Sequence, residues 1–377
     1  MSAPDIRSDH IQRLDVLRGL AILAVFLFHF LGTIYQMDHL PWRGWWPDWS
    51  AAPDRTFLWL FPFTFGWVGV SLFFVLSGFC IHLAFLRKPV FSLGAFYRAR
   101  FWRIYPAYAV ALLFFAALGF SKFSRPETWG DLAAHLTLTH NFFPSTYYTF
   151  SPAFWSLAVE SQFYLAFPLF LALRSRLGIG RTLVVAGVAA LLLRLGIALF
   201  VQASDASLNV WLYSTPVLWF DWILGAYLAE CSFRKCEPRL PRHPLVIPLV
   251  VGALILAALC KPLTPLRFPI ASVLSALIMA RYLQNRSALA KWERVCVPLG
   301  LISYSFYLWH QPLMGRVMKL LHRAGLPETP WLVFTVGLTA TLAIIAALSW
   351  FLYRHVELRF IRRPKKIDPP KVVSYAC

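Results

Sequence analysis

The stretch LDVLRGLAILAVFLFHFLGTIY, residues 14–35, decides the architecture. It is apolar or small almost throughout, and at about 1.5 Å of rise per helical residue it spans the ~30 Å hydrocarbon core of a bilayer. Comparable runs recur to the end of the chain. They predict helices near 14–35, 63–86, 104–120, 152–173, 182–201, 211–229, 245–260, 266–284, 297–320 and 331–353. The hydrophobic fraction is 59%, which excludes a soluble fold. Little chain is left for a separate globular unit, so the expectation is one all-α polytopic domain over 1–377. It has about ten transmembrane helices and a basic tail from about 354 to 377.

The formal charge is +19, yet Lys and Arg sit in short clusters between apolar runs and form no interleaved basic surface, so no nucleic-acid partner is expected. With the N-terminus inside, about 26 of the 36 cationic residues fall on cytoplasmic segments and about nine outside. Both termini are therefore expected in the cytoplasm. The six cysteines carry no CxxC pair or His-rich cluster, so neither a disulfide framework nor a metal site is implied. No small-residue cleavage pattern follows the first apolar run, and it is expected to stay in the membrane. Two longer outer loops remain. The one from Gln36 to Phe61 is rich in Trp, as suits the membrane interface; the one from Lys122 to Ser151 holds Asp131, His135 and His140, with a short helix expected from Asp131 to Phe143.

Ionisable residues inside predicted spans are informative, because each costs several kcal/mol in hydrocarbon unless it faces a cavity or a partner. They are His29, Glu160, Arg194, Asp221 and His310. His82 and Arg281 lie nearer helix ends, where snorkelling accounts for them. Arg18 and His29 are eleven positions apart on one helix, almost three whole turns, so they share a face about 16 Å apart along the axis. A donor with an anionic head and a thin arm ending in a thioester fits that stripe, and coenzyme A has this form. The plainer account is a topology-setting Arg and a satisfied interior His.

Glu160 and His29 fall at similar depths, so Glu160 is expected to orient His29 as a general base; the alternative is a polar contact that only locks helices. Ser156 stands one turn from Glu160, placed for the carboxylate or an incoming acceptor. In FYRARFWRIYP, Arg100 and Arg103 are three apart and suit a phosphate clamp, although juxtamembrane arginines also serve orientation and headgroup contact. Arg194 and Asp221 lie on consecutive antiparallel spans, where mutual neutralisation is the simplest reading; Asp221 is also a candidate substrate contact. His310 in YSFYLWHQP precedes Pro312 and is a candidate for the acceptor path, or else an interior hydrogen-bonded His. FFVLSGF places Ser77 and Gly78 for close helix packing.

Taken in order, LDVLRGLAILAVFLFHF, VSLFFVLSGF, FYRARFWRIYP, FWSLAVESQFYLAFPLFL, FDWILGAYLAE and ISYSFYLWHQPL resemble acyltransferase family 3, bacterial multipass membrane proteins that O-acylate polysaccharides and other glycans. The resemblance implies His29 as the catalytic residue and Arg18, Arg100 and Arg103 as contacts to an acyl-CoA donor, acetyl-CoA first among them. It maps an SxxxE pattern onto Ser156 and Glu160, and it implies a carbohydrate acceptor and a bacterial cytoplasmic membrane location. Some relatives append an outer hydrolase-like domain. Here none follows, so the chain is expected to complete the reaction itself or to hand the acyl group to a partner. A reading of a different class is a transporter or flippase for an anionic or glycosylated lipid, which the lack of Gly/Pro-broken helices in matching halves disfavours.

Overall fold

The structure is a computed structural model that describes residues 6–41, 44–47, 49, 55–88, 90–119, 123–200, 210–285, 287–327 and 329–361. Trp42, Lys122, Arg286 and the basic tail beyond Ile361, with Cys377, lie outside them. Every named element is helical. The first helix, α1, runs Ile6–Tyr35; α2 is Val68–Leu86, entered through a tight helical segment at Arg55–Phe65; α3 is Leu93–Leu118. A short helix, α4 (Pro126–Leu136), begins with Pro at its first position, where the missing N–H would be unsatisfied anyway. Then come α5 (Phe154–Leu165), α6 (Phe167–Leu177), α7 (Ile179–Phe200), α8 (Thr215–Phe233), α9 (Val246–Leu259), α10 (Arg267–Gln284), α11 (Lys291–Leu301) and α12 (Ser303–Arg323). The last, α13, covers Val333–Phe360 and is interrupted by π turns at Val333–Gly337 and Tyr353–Glu357.

Six of these are long and apolar enough to cross a membrane: α1, the Trp59–Leu86 stretch ending in α2, α3, α7, the Lys261–Gln284 stretch ending in α10, and α13. The pair α5 and α6, bent by 51° at Ala166, makes a seventh if it counts as one span. The segments expected at 211–229, 245–260 and 297–320 are helical too, but α9 is short, and α8 and α12 are too polar or too charged for that test by composition alone. The outer faces are apolar, as lipid contact requires: Leu192, Leu199 and Phe200 of α7 stand exposed.

Without a hydrophobic force between helices in lipid, close packing of small residues does the joining. Helices α2 and α8 show it reciprocally. A Cβ on Gly78 would lie 1.9 Å from the Trp222 carbonyl oxygen, and one on Gly225 would lie 1.9 Å from that of Val75. Gly78 thus has the packing role expected from FFVLSGF, while Ser77 turns elsewhere. Around this crossing Phe167 and Phe170 meet Trp222 edge to face, and Phe163 packs against it tilted.

The Trp-rich loop before α2 docks on the turn after α9: Trp45 N–H donates to the Leu259 carbonyl at 2.8 Å, and Lys261 N–H to that of Trp46 at 3.0 Å. In the loop between α3 and α5 the short helix ends at Leu136, earlier than Phe143, and a tight turn at His140–Phe142 follows. Three residues depart from their expected places. His82 does not snorkel; it is fully buried, 3.0 Å from the Glu230 carboxylate, which also accepts from Arg174 and Arg234. Arg194 and Asp221 do not meet within ion-pair distance: Arg194 donates instead to the Pro265 carbonyl at 2.8 Å in the turn before α10, and among the described residues neither Asp221 oxygen has a hydrogen-bond partner.

Candidate active site

Helices α1, α2, α3, α5 and α12 enclose a cavity of about 170 Å³. Arg18, Arg100 and Arg103 stand in its wall together with Glu160, Tyr164 and Ser77. Three arginines from two segments far apart in sequence therefore converge. Their charges are not equivalent. Arg18 Nη1 donates to Asp15 at 2.7 Å, one turn back on α1, and its Nη2 donates to Cys80 Sγ at 3.1 Å. Arg103 donates at 3.0 Å to Glu357, a carboxylate only 2% exposed in the π turn of α13 that also accepts from Ser305. Arg100 has no acidic partner within ion-pair distance among the described residues and lies over the rings of Phe96 and Tyr164. It carries the least compensated positive charge in the cavity wall.

Glu160 does not reach His29. Its carboxylate accepts from Ser77 Oγ at 2.9 Å and from Tyr164 OH, one turn along α5, at 2.6 Å, and so faces the arginines. Ser156 pairs not with Glu160 but with Tyr307 OH, at 2.6 Å. These two hydroxyls stand at the end of the cavity that leads toward His310.

Beyond them is a histidine pair. Ser303, Tyr307 and His310 are spaced by four and three, so they share one face of α12. Ser303 and Tyr307 line the cavity; His310 is one turn further, fully buried, with Nε2 3.0 Å from Nδ1 of His29. Helix α12 continues through Pro312 without a break. His29 is partly covered and is not among the lining residues. The single corridor expected from Arg18 to His29 thus stops at Tyr307, about one helical turn short. Asp221, a candidate substrate contact, lies outside this cavity altogether, buried on α8.

The sequence reasoning missed Tyr307, Tyr164, Asp15 and Glu357. The first three had a local signal: each lies three or four residues from a residue already singled out, on the same helix face. Glu357 had none, since only the fold brings α13 to α3.

Comparison with known proteins bears on this geometry. The family description "Acyltransferase domain" matches residues 11–350, nearly the whole chain. The chain belongs to this acyltransferase family. Among its relatives is the peptidoglycan O-acetyltransferase OatA of Listeria monocytogenes, 25% identical, with 94% of this chain and 56% of the relative covered. The acyltransferase MdmB of Streptomyces mycarofaciens is 31% identical over 66% of this chain and 68% of its own length. A putative O-acetyltransferase of Staphylococcus aureus is 25% identical over 93% of this chain and 57% of its own length. The chain spans little more than half the length of OatA and of this staphylococcal protein. No solved structure matches it.

Proposed function

We propose that the protein is a membrane O-acyltransferase that moves an acyl group, acetyl first, from acyl-CoA to a hydroxyl of a carbohydrate such as a surface or exported polysaccharide. The observation that carries this reading is the cavity with three arginines in its wall and the Ser156–Tyr307 hydroxyls at the end that stops one helical turn short of two bonded histidines. A cavity of about 170 Å³ with three guanidinium groups in its wall suits a slender pantetheine-like arm whose phosphates meet those charges. The nucleotide phosphates therefore stay at the arginines, with Arg100 as their main contact and Arg18 and Arg103 beside it. The thioester lies toward Tyr307 and Ser156, and rotation of the Tyr307 side chain joins the cavity to His29.

In this reading His29 takes the proton of the sugar hydroxyl as its oxygen attacks the thioester carbonyl. Glu160, bonded to Ser77 and Tyr164, balances the arginines when the site is empty. The topology that goes with it has ten spans, both termini in the cytoplasm and the arginines opening inward, in a bacterial cytoplasmic membrane. The names of the relatives, O-acetyltransferases among them, support the chemistry.

The test is to incubate purified protein with radiolabelled acetyl-CoA and extracted glycan. Labelled glycan together with released coenzyme A is the expected result. A glycolipid carried across vesicles with no labelled product would instead establish the transporter reading.

A further inference from the structure

His310 is a buried imidazole whose two nitrogens are both engaged. Its Nδ1 lies 2.8 Å from the Tyr307 carbonyl oxygen of its own helix. A carbonyl only accepts, so this nitrogen carries a hydrogen. Its Nε2 lies 3.0 Å from His29 Nδ1, and that contact needs one hydrogen between two nitrogens. A second hydrogen on His310 would make it a cation. Among the described residues neither ring has a carboxylate within ion-pair distance, and His310 is fully buried, so an unpaired charge here is strongly disfavoured. The neutral arrangement has no such cost. The hydrogen then sits on His29 Nδ1, His310 Nε2 accepts it, and the lone pair of His29 is left on Nε2.

The rings around the pair fix this orientation. The His29 and His310 ring centres are 5.0 Å apart and tilted by 50°, a bonded and not a stacked geometry. Phe306 stacks near His310 at 6.2 Å, Tyr307 lies at 5.4 Å, and Phe28 holds His29 edge-on at 5.2 Å.

We infer that His310 is a positioning residue for acyl transfer: anchored by the Tyr307 carbonyl, it holds His29 in the Nδ1–H tautomer and so presents Nε2 as the base. The inference rests on His29 being that base. In the transfer step the acceptor oxygen bonds to the thioester carbon, and its proton passes to His29 Nε2. The carbon–sulfur bond then breaks, and the departing thiolate takes the proton back, leaving ester, free thiol and neutral His29. While His29 is charged, its Nδ1–H stays bonded to His310, so a neutral imidazole does what a carboxylate does in the commoner acid–histidine arrangement. The Tyr307 backbone thereby acts on the same histidine pair that its side chain separates from the cavity.

The test compares His310→Phe, which keeps the ring volume and loses the acceptor, with His310→Gln, whose amide oxygen restores one, in the purified full chain. The expected result is a kcat about 100-fold down for His310→Phe and within about tenfold of wild type for His310→Gln, with KM for both substrates changed less than about twofold. Equal losses in the two variants, or a loss confined to the acceptor KM, would overturn the inference. Running His29→Ala alongside separates the two readings. An inactive His29→Ala beside a fully active His310→Phe removes the positioning role alone, whereas an active His29→Ala removes both. Nitrogen-15 NMR of the histidine-labelled wild type decides the tautomer even if a variant fails to fold: hydrogen on His29 Nδ1 supports the inference, and hydrogen on Nε2 overturns it.

Discussion

Tyr307 OH and Ser156 Oγ meet at 2.6 Å, and this contact between α12 and α5 stands between the arginine-lined cavity and the histidine pair. Two polar groups bonded to each other inside an apolar bundle make a defined stop, because separating them costs the buried Tyr307 hydroxyl its Ser156 partner. In the proposed reading that stop sets the length of acyl chain the cavity holds. Tyr307→Ala is expected to raise the preference for butyryl-CoA over acetyl-CoA by about tenfold, measured as a ratio of kcat/KM values in a competition assay.

Among the described residues Arg100 lacks the acidic partner that Arg18 and Arg103 have, so it has the most attraction left for an incoming anion. Arg100→Ala is expected to raise KM for acyl-CoA at least about tenfold, and Arg100→Lys to recover only part of that, since an ammonium lacks the guanidinium fork. Titration with a non-hydrolysable acyl-CoA analogue checks this.

Arg103 behaves differently because it also neutralises Glu357, buried at 2% exposure. Removing Arg103 leaves that carboxylate without its cation, a loss of about 2 kcal/mol once the partial exposure of Arg103 is allowed for. The melting temperature of Arg103→Ala is expected to fall, and Glu357→Gln in the same background to restore most of it. Thermal unfolding of the three proteins in detergent decides.

How far the site was legible depended on distance along the chain. The Arg18 and Arg100–Arg103 spacings were readable because helix periodicity puts them on faces, and the cavity gathers them. The contact between His29 and His310 was not, since it joins the first helix to the twelfth and periodicity orders residues only within one helix. Glu160 illustrates the limit: matching depth placed it beside His29, but depth leaves open which way a side chain turns, and Ser77 and Tyr164 hold it toward the arginines. Ser77 was read as packing because it adjoins Gly78. The bent α5–α6 pair and the polar α12 blur the span count for a related reason, since helices that line a polar site cannot be uniformly apolar.

In the loop between α3 and α5 the rings of His135 and His140 stack at 3.9 Å with an interplanar angle of 7°. Burial pulls the His135 imidazole down to about 4, and burial together with the neighbouring His135 pulls His140 down to about 3. Both lie below the ordinary value near 6.5, so the folded loop binds fewer protons than the unfolded chain. Stability is full above about pH 6.5 and is lost as pH falls from there toward 3 to 4. Hydrogen exchange across 126–154 is expected to quicken in that window, and His140→Phe to flatten the dependence.

Gly78 sits against the Trp222 backbone with no room for a side chain. Gly78→Val is expected to force α2 and α8 apart and abolish the monodisperse peak in fluorescence-detected size exclusion.

In the proposed mechanism His29 performs the transfer while the arginines hold the donor. The decisive measurement is label transfer from radiolabelled acetyl-CoA to glycan by His29→Ala and wild type, with donor affinity measured on the same samples. The expected rate for His29→Ala is about 1000-fold lower, with donor affinity within about twofold. Equal rates in the two proteins would contradict it.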